Sequence, residues 1–115
     1  MVQTAMGRVL LLGGQGMGRG DDSLGLTILG NFLKALLGNP LRPEKIVCWN
    51  AGVKLLTHDS PVLGALQDLE GVGVEILACK TCVEYFGLQG RLQTGEISTM
   101  PVISDLLMRR DVLTI

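Results

Sequence analysis

Three short, mostly apolar runs at residues 8–12, 45–49 and 74–78 constrain the fold more than anything else in this chain. The first, Arg8-Val9-Leu10-Leu11-Leu12, does not alternate polar with apolar residues, so it suits a parallel strand covered on both faces. Helical patterns fill the intervals. Leu24, Ile28, Phe32 and Leu36 recur every fourth residue, and Leu29, Leu33 and Leu37 widen the stripe to a face suited to lying on a sheet. Asp21 or Asp22 can cap this helix, and Gly38-Asn39-Pro40 ends it. Ser60 as cap and Pro61 as first helical residue open a second helix with Val62, Leu63, Leu66 and Leu69 inward.

The breakers Glu70-Gly71 and Gly73 precede the third run, which presents Val74, Ile76 and Ala78 on one side. A capping box, Thr81 with Glu84, then makes Thr81 the N-cap of a short helix that keeps Val83 and Phe86 inward and closes at Gly87. Residues 88–95 read as loop, and residues 96–100 as a short extended piece at the sheet edge. Pro101 begins a last helix with Val102, Ile103, Leu106 and Leu107 inward. Residues 111–115 form a final strand that ends the chain inside the sheet. The pattern predicts a flexible lead-in over residues 1–7 and one α/β domain over residues 8–115. That domain is a small doubly wound, mainly parallel five-stranded sheet between helices.

Composition narrows the function classes. With 115 residues, 47% of them hydrophobic but only 3% aromatic, the chain is one domain with an aliphatic core. A formal charge of -1, with basic residues clustered only at Arg109-Arg110, supplies no electrostatic reason to bind nucleic acid or an anionic membrane. Nothing reaches the roughly 18 apolar residues that a membrane span needs, and the start of the chain lacks a basic segment leading into a long apolar one. Three cysteines make no disulfide scaffold and point to a reducing compartment, so the expected location is the cytoplasm.

The chemistry-bearing motif is Cys79-Lys80-Thr81-Cys82, at the junction of the third strand with its helix. Helix-terminal N–H groups and Lys80 would favour thiolate over thiol there. The spacing suits redox or sulfur-carrier work; free cysteines also serve as small packing residues, as expected of Cys48. A structural zinc site would have to recruit Cys48 and the lone His58, which is a poor match to ligand spacing, so no metal is expected. His58 itself reads as a surface or cap residue. The glycine loop at residues 13–20 misses the dinucleotide fingerprint, because Arg19 and Asp21 stand where glycines are required, and no phosphate-loop triplet exists. No cofactor is expected. Instead the loop, with Arg19 and Asp21, should rim a pocket at the strands' carboxyl ends, together with Asn50 and Gly52, Lys80, and Met100.

Several stretches in order carry a family resemblance. They are Gly18-Arg19-Gly20-Asp21-Asp22-Ser23-Leu24-Gly25, Pro43-Glu44-Lys45-Ile46, Asn50-Ala51-Gly52-Val53-Lys54-Leu55, the run from Gly73 through Cys82, Gly87-Leu88, and Gly95-Glu96-Ile97-Ser98-Thr99-Met100. On these the chain resembles the DsrE/DsrF-like sulfur-relay family, most closely the C-terminal domain of YedF-type sulfurtransferase-like proteins linked to selenium metabolism. Two places differ. Lys80 replaces the glycine of the usual Cys-Gly-Thr-Cys, and Thr99-Met100-Pro101 replaces an Asn-Met-Tyr.

The resemblance implies a sulfur or selenium relay, with a persulfide carried on a motif cysteine and passed from a donor protein to an acceptor. It also implies a homo-oligomer, and it leaves out the TusA-like domain that YedF-type proteins carry. The expected roles are Cys79 as cargo-bearing residue, open to the crevice at the end of a central strand, and Cys82 as resolving or tuning partner. The competing expectation is a non-catalytic homo-oligomeric binding or assembly module of the same fold. A dithiol reductase fits less well, because the flanks of the motif do not resemble thioredoxin's.

Overall fold

Runs that are apolar on both faces require helices above and below, and a computed structural model, which describes residues 7–115, has that layering. Its strands are β1 (Arg8–Leu12), β2 (Lys45–Cys48), β3 (Glu75–Cys79), β4 (Glu96–Ser98) and β5 (Asp111–Thr114). They alternate with α1 (Asp22–Leu37), α2 (Leu63–Gly71), α3 (Lys80–Tyr85) and α4 (Met100–Arg109). A further 3₁₀ turn, Asn50–Leu56, follows β2. All four strand pairings are parallel, in the order β4-β3-β2-β1-β5, so the doubly wound α/β architecture is as expected. Residues 1–6 of the expected lead-in lie outside the described residues. Gly7 is tied at both ends: its N–H donates to Glu44 Oε1 at 3.1 Å and its carbonyl accepts from the Asp111 N–H at 2.8 Å.

The two faces of the sheet are covered unequally. On one side Leu10, Leu12, Ile46, Ile76 and Ala78 pack against Leu29 and Leu33 of α1, Leu66 and Leu69 of α2, and Val83 of α3. On the other, Val9, Leu11, Val47, Leu77 and Cys79 meet Ile103 and Leu106 of α4. Truncating a fully buried leucine such as Leu66 in the thicker layer would cost about 2–5 kcal/mol.

Several local expectations shift. The buried stripe of α1 is Gly25, Leu29, Leu33 and Leu36, one residue round from the expected one; Leu24 is 57% exposed and Ile28 41%. The cause is the glycine loop, which folds onto Gly25, where the Met17 N–H donates to the Gly25 carbonyl at 3.0 Å. Asp21 is the cap, its carboxylate accepting the Leu24 N–H at 2.8 Å. The second helix starts at Leu63 rather than Pro61, because Ser60 Oγ accepts the Val62 N–H and holds a turn in front of it. Glu70-Gly71 is the last turn of α2 instead of a breaker, and Glu70 accepts from Thr94 Oγ1 at 2.6 Å and the Gly95 N–H at 3.0 Å, which pins the loop before β4.

Val102 points outward at 55% exposure, because α4 rests on the sheet through Ile103 and Leu106, with Leu107 partly buried beside them. The middle strand is β2, not β3. The last strand lies at an edge beside β1 with all its residues exposed, rather than inside the sheet.

The edge strand β5 is held by charge as well as by its ladder. Arg110 Nε donates to Glu44 Oε1 at 2.9 Å, and this guanidinium, with the Gly7 N–H helping against the opposing effect of burial, holds the Glu44 carboxyl below its ordinary value. A carboxyl whose folded value is depressed stabilises the fold above its unfolded value, and that stabilisation is lost as pH falls through the folded value. Arg110→Met should therefore lower the melting temperature near neutral pH and flatten its fall on acidification. An unchanged acid limb in thermal melts would refute the assignment.

Candidate functional site

Strand order decides where a crevice opens. The connections after β1, β2 and β3 lead to helices packed in the thicker layer, whereas the one after β4 leads to α4 on the opposite face. Adjacent strands whose connections diverge in this way leave a gap at their carboxyl ends. Here the diverging pair is β3 and β4, and the gap holds Cys79 from the end of β3 and Met100 from the first turn of α4. Trp49, Asn50, Thr81, Cys82, Tyr85 and Phe86 complete a cleft of about 540 Å³.

The helix after β3 begins earlier than the capping box implies. Cys79 itself is the N-cap and Lys80 the first helical residue, while Thr81 makes no capping bond. Cys82 thus becomes the third helical residue. Cys79 makes no capping bond of its own, but it lines the same cleft as Cys82 and packs in one cluster with it. The helix ends in a Schellman motif. The Leu88 N–H donates to the Val83 carbonyl at 2.9 Å and the Gly87 N–H to Glu84 at 3.1 Å, with Gly87 at φ +65°.

The two sulfurs differ in access. Cys79 is only 2% exposed, whereas Cys82 is half-buried, the reverse of the expected order. The reason is that the last β3 residue points under α4, beside Leu77 and Ile103, while the helix start carries Cys82 to the cleft mouth. Cys82 Sγ accepts the Asn50 N–H at 3.0 Å. Asn50, at φ +49°, is the one non-glycine residue with a left-handed backbone among the described residues, and such local strain persists only where its surroundings enforce it. The enforcing contact is at Gly52, where a Cβ would stand 2.1 Å from the Leu12 carbonyl oxygen.

Electrostatics at the pair run against the sequence expectation. Burial pushes the Cys82 thiol up from its ordinary value; the Asn50 amide pulls the other way, and the neighbouring Cys79 adds to the rise. Lys80 is exposed and outside the cleft lining. A cation that does meet the cleft wall is Lys54, whose Nζ lies 4.4 Å above the Phe86 ring, which also meets Tyr85 edge-on. Cys48 is wholly buried in the aliphatic core, and burial pushes its thiol up to about 12. Among the described residues no group of three or more His, Cys, Asp or Glu side chains is placed to hold a metal, and no helix is long and apolar enough to cross a membrane.

Comparison with known proteins bears on the fold. No family model matches the sequence, and no curated protein matches it. Solved structures do match. The ychN protein from E. coli superposes with a TM-score of 0.73 at 18% identity over 94% of this chain and 97% of its own. MTH1491 from Methanobacterium thermoautotrophicum, a protein of unknown function, gives 0.67 at 18% over 94% and 98%. BT1422 from Bacteroides thetaiotaomicron, a conserved protein of unknown function, gives 0.63 at 20% over the full length of both.

The chain has the DsrE/YchN-like fold. Within that fold, Asn50, Cys79, Cys82 and Met100 line one cleft. Arg19 and Asp21 do not join them. The glycine loop lines a separate recess of about 340 Å³ with Gln15, Asp21 and Asp22, and its first residue, Gly13, lies against the Trp49 indole. Gly52 lies beneath the cleft as a packing residue, and Lys80 faces solvent. The sequence reading missed Trp49, Thr81, Tyr85 and Phe86 as lining residues and the Asn50 amide as a sulfur ligand. Tyr85 was within reach of it, lying one turn after Cys82; the amide was not, because a backbone donor leaves no mark on residue type.

Gly52→Ala should destabilise the fold by roughly 1–3 kcal/mol, the usual cost of overpacking, while Gly14→Ala, with open space around it, stays near neutral. Equal melting temperatures for the two variants would contradict the wedge. Alkylation mapped by mass spectrometry should label Cys82 first, at a rate still climbing with pH beyond the ordinary thiol value of 9.0, and Cys48 only on unfolding. Early labelling of Cys48 would overturn this order.

Proposed function

We propose that this protein is a sulfur carrier. It holds sulfane sulfur as a persulfide on the Cys79/Cys82 pair and passes it to the thiol of a partner protein. The observation that carries the reading is the placement of two free thiols in one aromatic-walled cleft at the point where the sheet's connections diverge. The chemistry is thiol–disulfide exchange. A cysteine thiolate attacks the outer sulfur of a donor persulfide, the S–S bond breaks, and the donor leaves as thiolate. Delivery repeats the step with the acceptor thiolate as nucleophile, and no net oxidation occurs. The Asn50 N–H supports negative charge on Cys82 in both directions. Selenium, which follows the same exchange chemistry, is the alternative cargo that the family resemblance suggests.

A second reading, a homo-oligomeric assembly module, draws support from exposed apolar side chains. Tyr85 at the cleft mouth is 83% exposed, and Val112 and Leu113 lie on the open edge strand. Intact mass after incubation with a sulfane-sulfur donor separates the two. A carrier gains the mass of one sulfur atom, reversibly with reductant, and the double variant Cys79→Ser/Cys82→Ser gains none. Absence of the adduct in a protein whose Cys82 still alkylates, together with a concentration-dependent oligomer in sedimentation, would favour the assembly module.

A further inference from the structure

We infer that the pair also releases its cargo. Cys82 takes up the sulfane sulfur at the cleft mouth, and Cys79 then expels it as hydrogen sulfide, closing a Cys79–Cys82 disulfide. This rests on the sulfur-carrier reading and assigns that site its product when no acceptor thiol is docked.

Access assigns the first role. A donor carrying its persulfide on a bulky thiol can reach half-buried Cys82, whose sulfur is held in place by the Asn50 N–H at 3.0 Å. It cannot reach Cys79, which is 2% exposed beneath α4. Proximity assigns the second. Cys79, the residue just before the first turn of α3, lines the same cleft as Cys82 and shares one cluster of packed side chains with it, so its attack on Cys82 Sγ is intramolecular and needs no docking step.

The step balances without an outside reagent. The Cys79 thiol and the Cys82 persulfide become one disulfide and one hydrogen sulfide. The Cys79 sulfur bonds to Cys82 Sγ, the bond from Cys82 Sγ to the outer sulfur breaks, and the electron pair and the Cys79 proton leave with the outer sulfur. The two cysteine sulfurs are oxidised and the sulfane sulfur is reduced. A second turnover needs an external dithiol to reopen the disulfide. The rim of Trp49, Tyr85, Phe86 and Met100 suits this outcome, because a small neutral product leaves an apolar cleft more readily than a charged one.

The test uses the full-length reduced protein and glutathione persulfide as donor, followed by rapid desalting, intact mass, peptide mapping and sulfide determination. The wild type should pass through a one-sulfur adduct to a species two hydrogens lighter than the dithiol form, with sulfide released in step. Cys79→Ser should hold a one-sulfur adduct on Cys82 and release at least tenfold less sulfide over the same time. If the wild type keeps its adduct as long as Cys79→Ser does, expulsion fails and the carrier reading stands. If Cys79→Ser carries glutathione on Cys82 instead of sulfur, the donor was attacked at the wrong atom and the inference fails. If neither protein gains sulfur nor releases sulfide while Cys82 still alkylates, the carrier reading fails and takes the inference with it.

Discussion

The contact on which the site depends is between two backbones. Gly52 approaches the Leu12 carbonyl so closely that no side chain fits between them, and the same carbonyl accepts the Trp49 N–H at 3.2 Å. The end of β1 therefore fixes the path of the chain as it leaves β2. That path turns Asn50 into a left-handed conformation and aims its N–H across the cleft at Cys82. A larger residue at 52 would push the turn outward, and the amide would no longer meet the sulfur.

Around that contact, topology supplies the space and α3 supplies the chemistry. β3 and β4 send their connections to opposite faces, and the cysteine motif occupies the resulting gap. Because Cys79 caps a helix of only six residues, both sulfurs are crowded into its first turn. Reactivity at Cys82 reflects a contest: burial disfavours the thiolate and the Asn50 amide favours it. Partial desolvation of this kind lowers the thiolate fraction that the accessible sulfur holds near neutral pH.

Much of the fold was legible in residue pattern. The strands near 8–12, 45–48 and 75–79 and the long first helix follow from apolar periodicity, and a cap at Asp21 or Asp22 follows from residue type, the structure choosing Asp21. Detail within the elements was less so. The stripe of α1 turned by one residue because a loop leans on Gly25, and Val102 turned outward because α4 touches the sheet through a narrow strip. Both depend on what an element meets, and periodicity is blind to that. The glycine loop illustrates the same limit. Its letters were enough to argue against the dinucleotide fingerprint, but its separate recess beside Asp21 and Asp22 depends on where the loop folds.

The sequence by itself determined that the chain alternates strands and helices, and that two cysteines stand at the junction after the third strand. Those properties reside in residue type and spacing, which local sterics and burial convert directly into secondary structure. Only the tertiary structure decided that β2 is the middle strand, that β5 is an open edge, and that the cleft opens between β3 and β4. It also decided that Cys79 is the shielded sulfur and Cys82 the accessible one. These depend on strand order and on backbone groups meeting across more than thirty residues of chain, as the Asn50 N–H meets Cys82. Every residue except proline carries the same N–H, so no choice of side chain announces which one will be used.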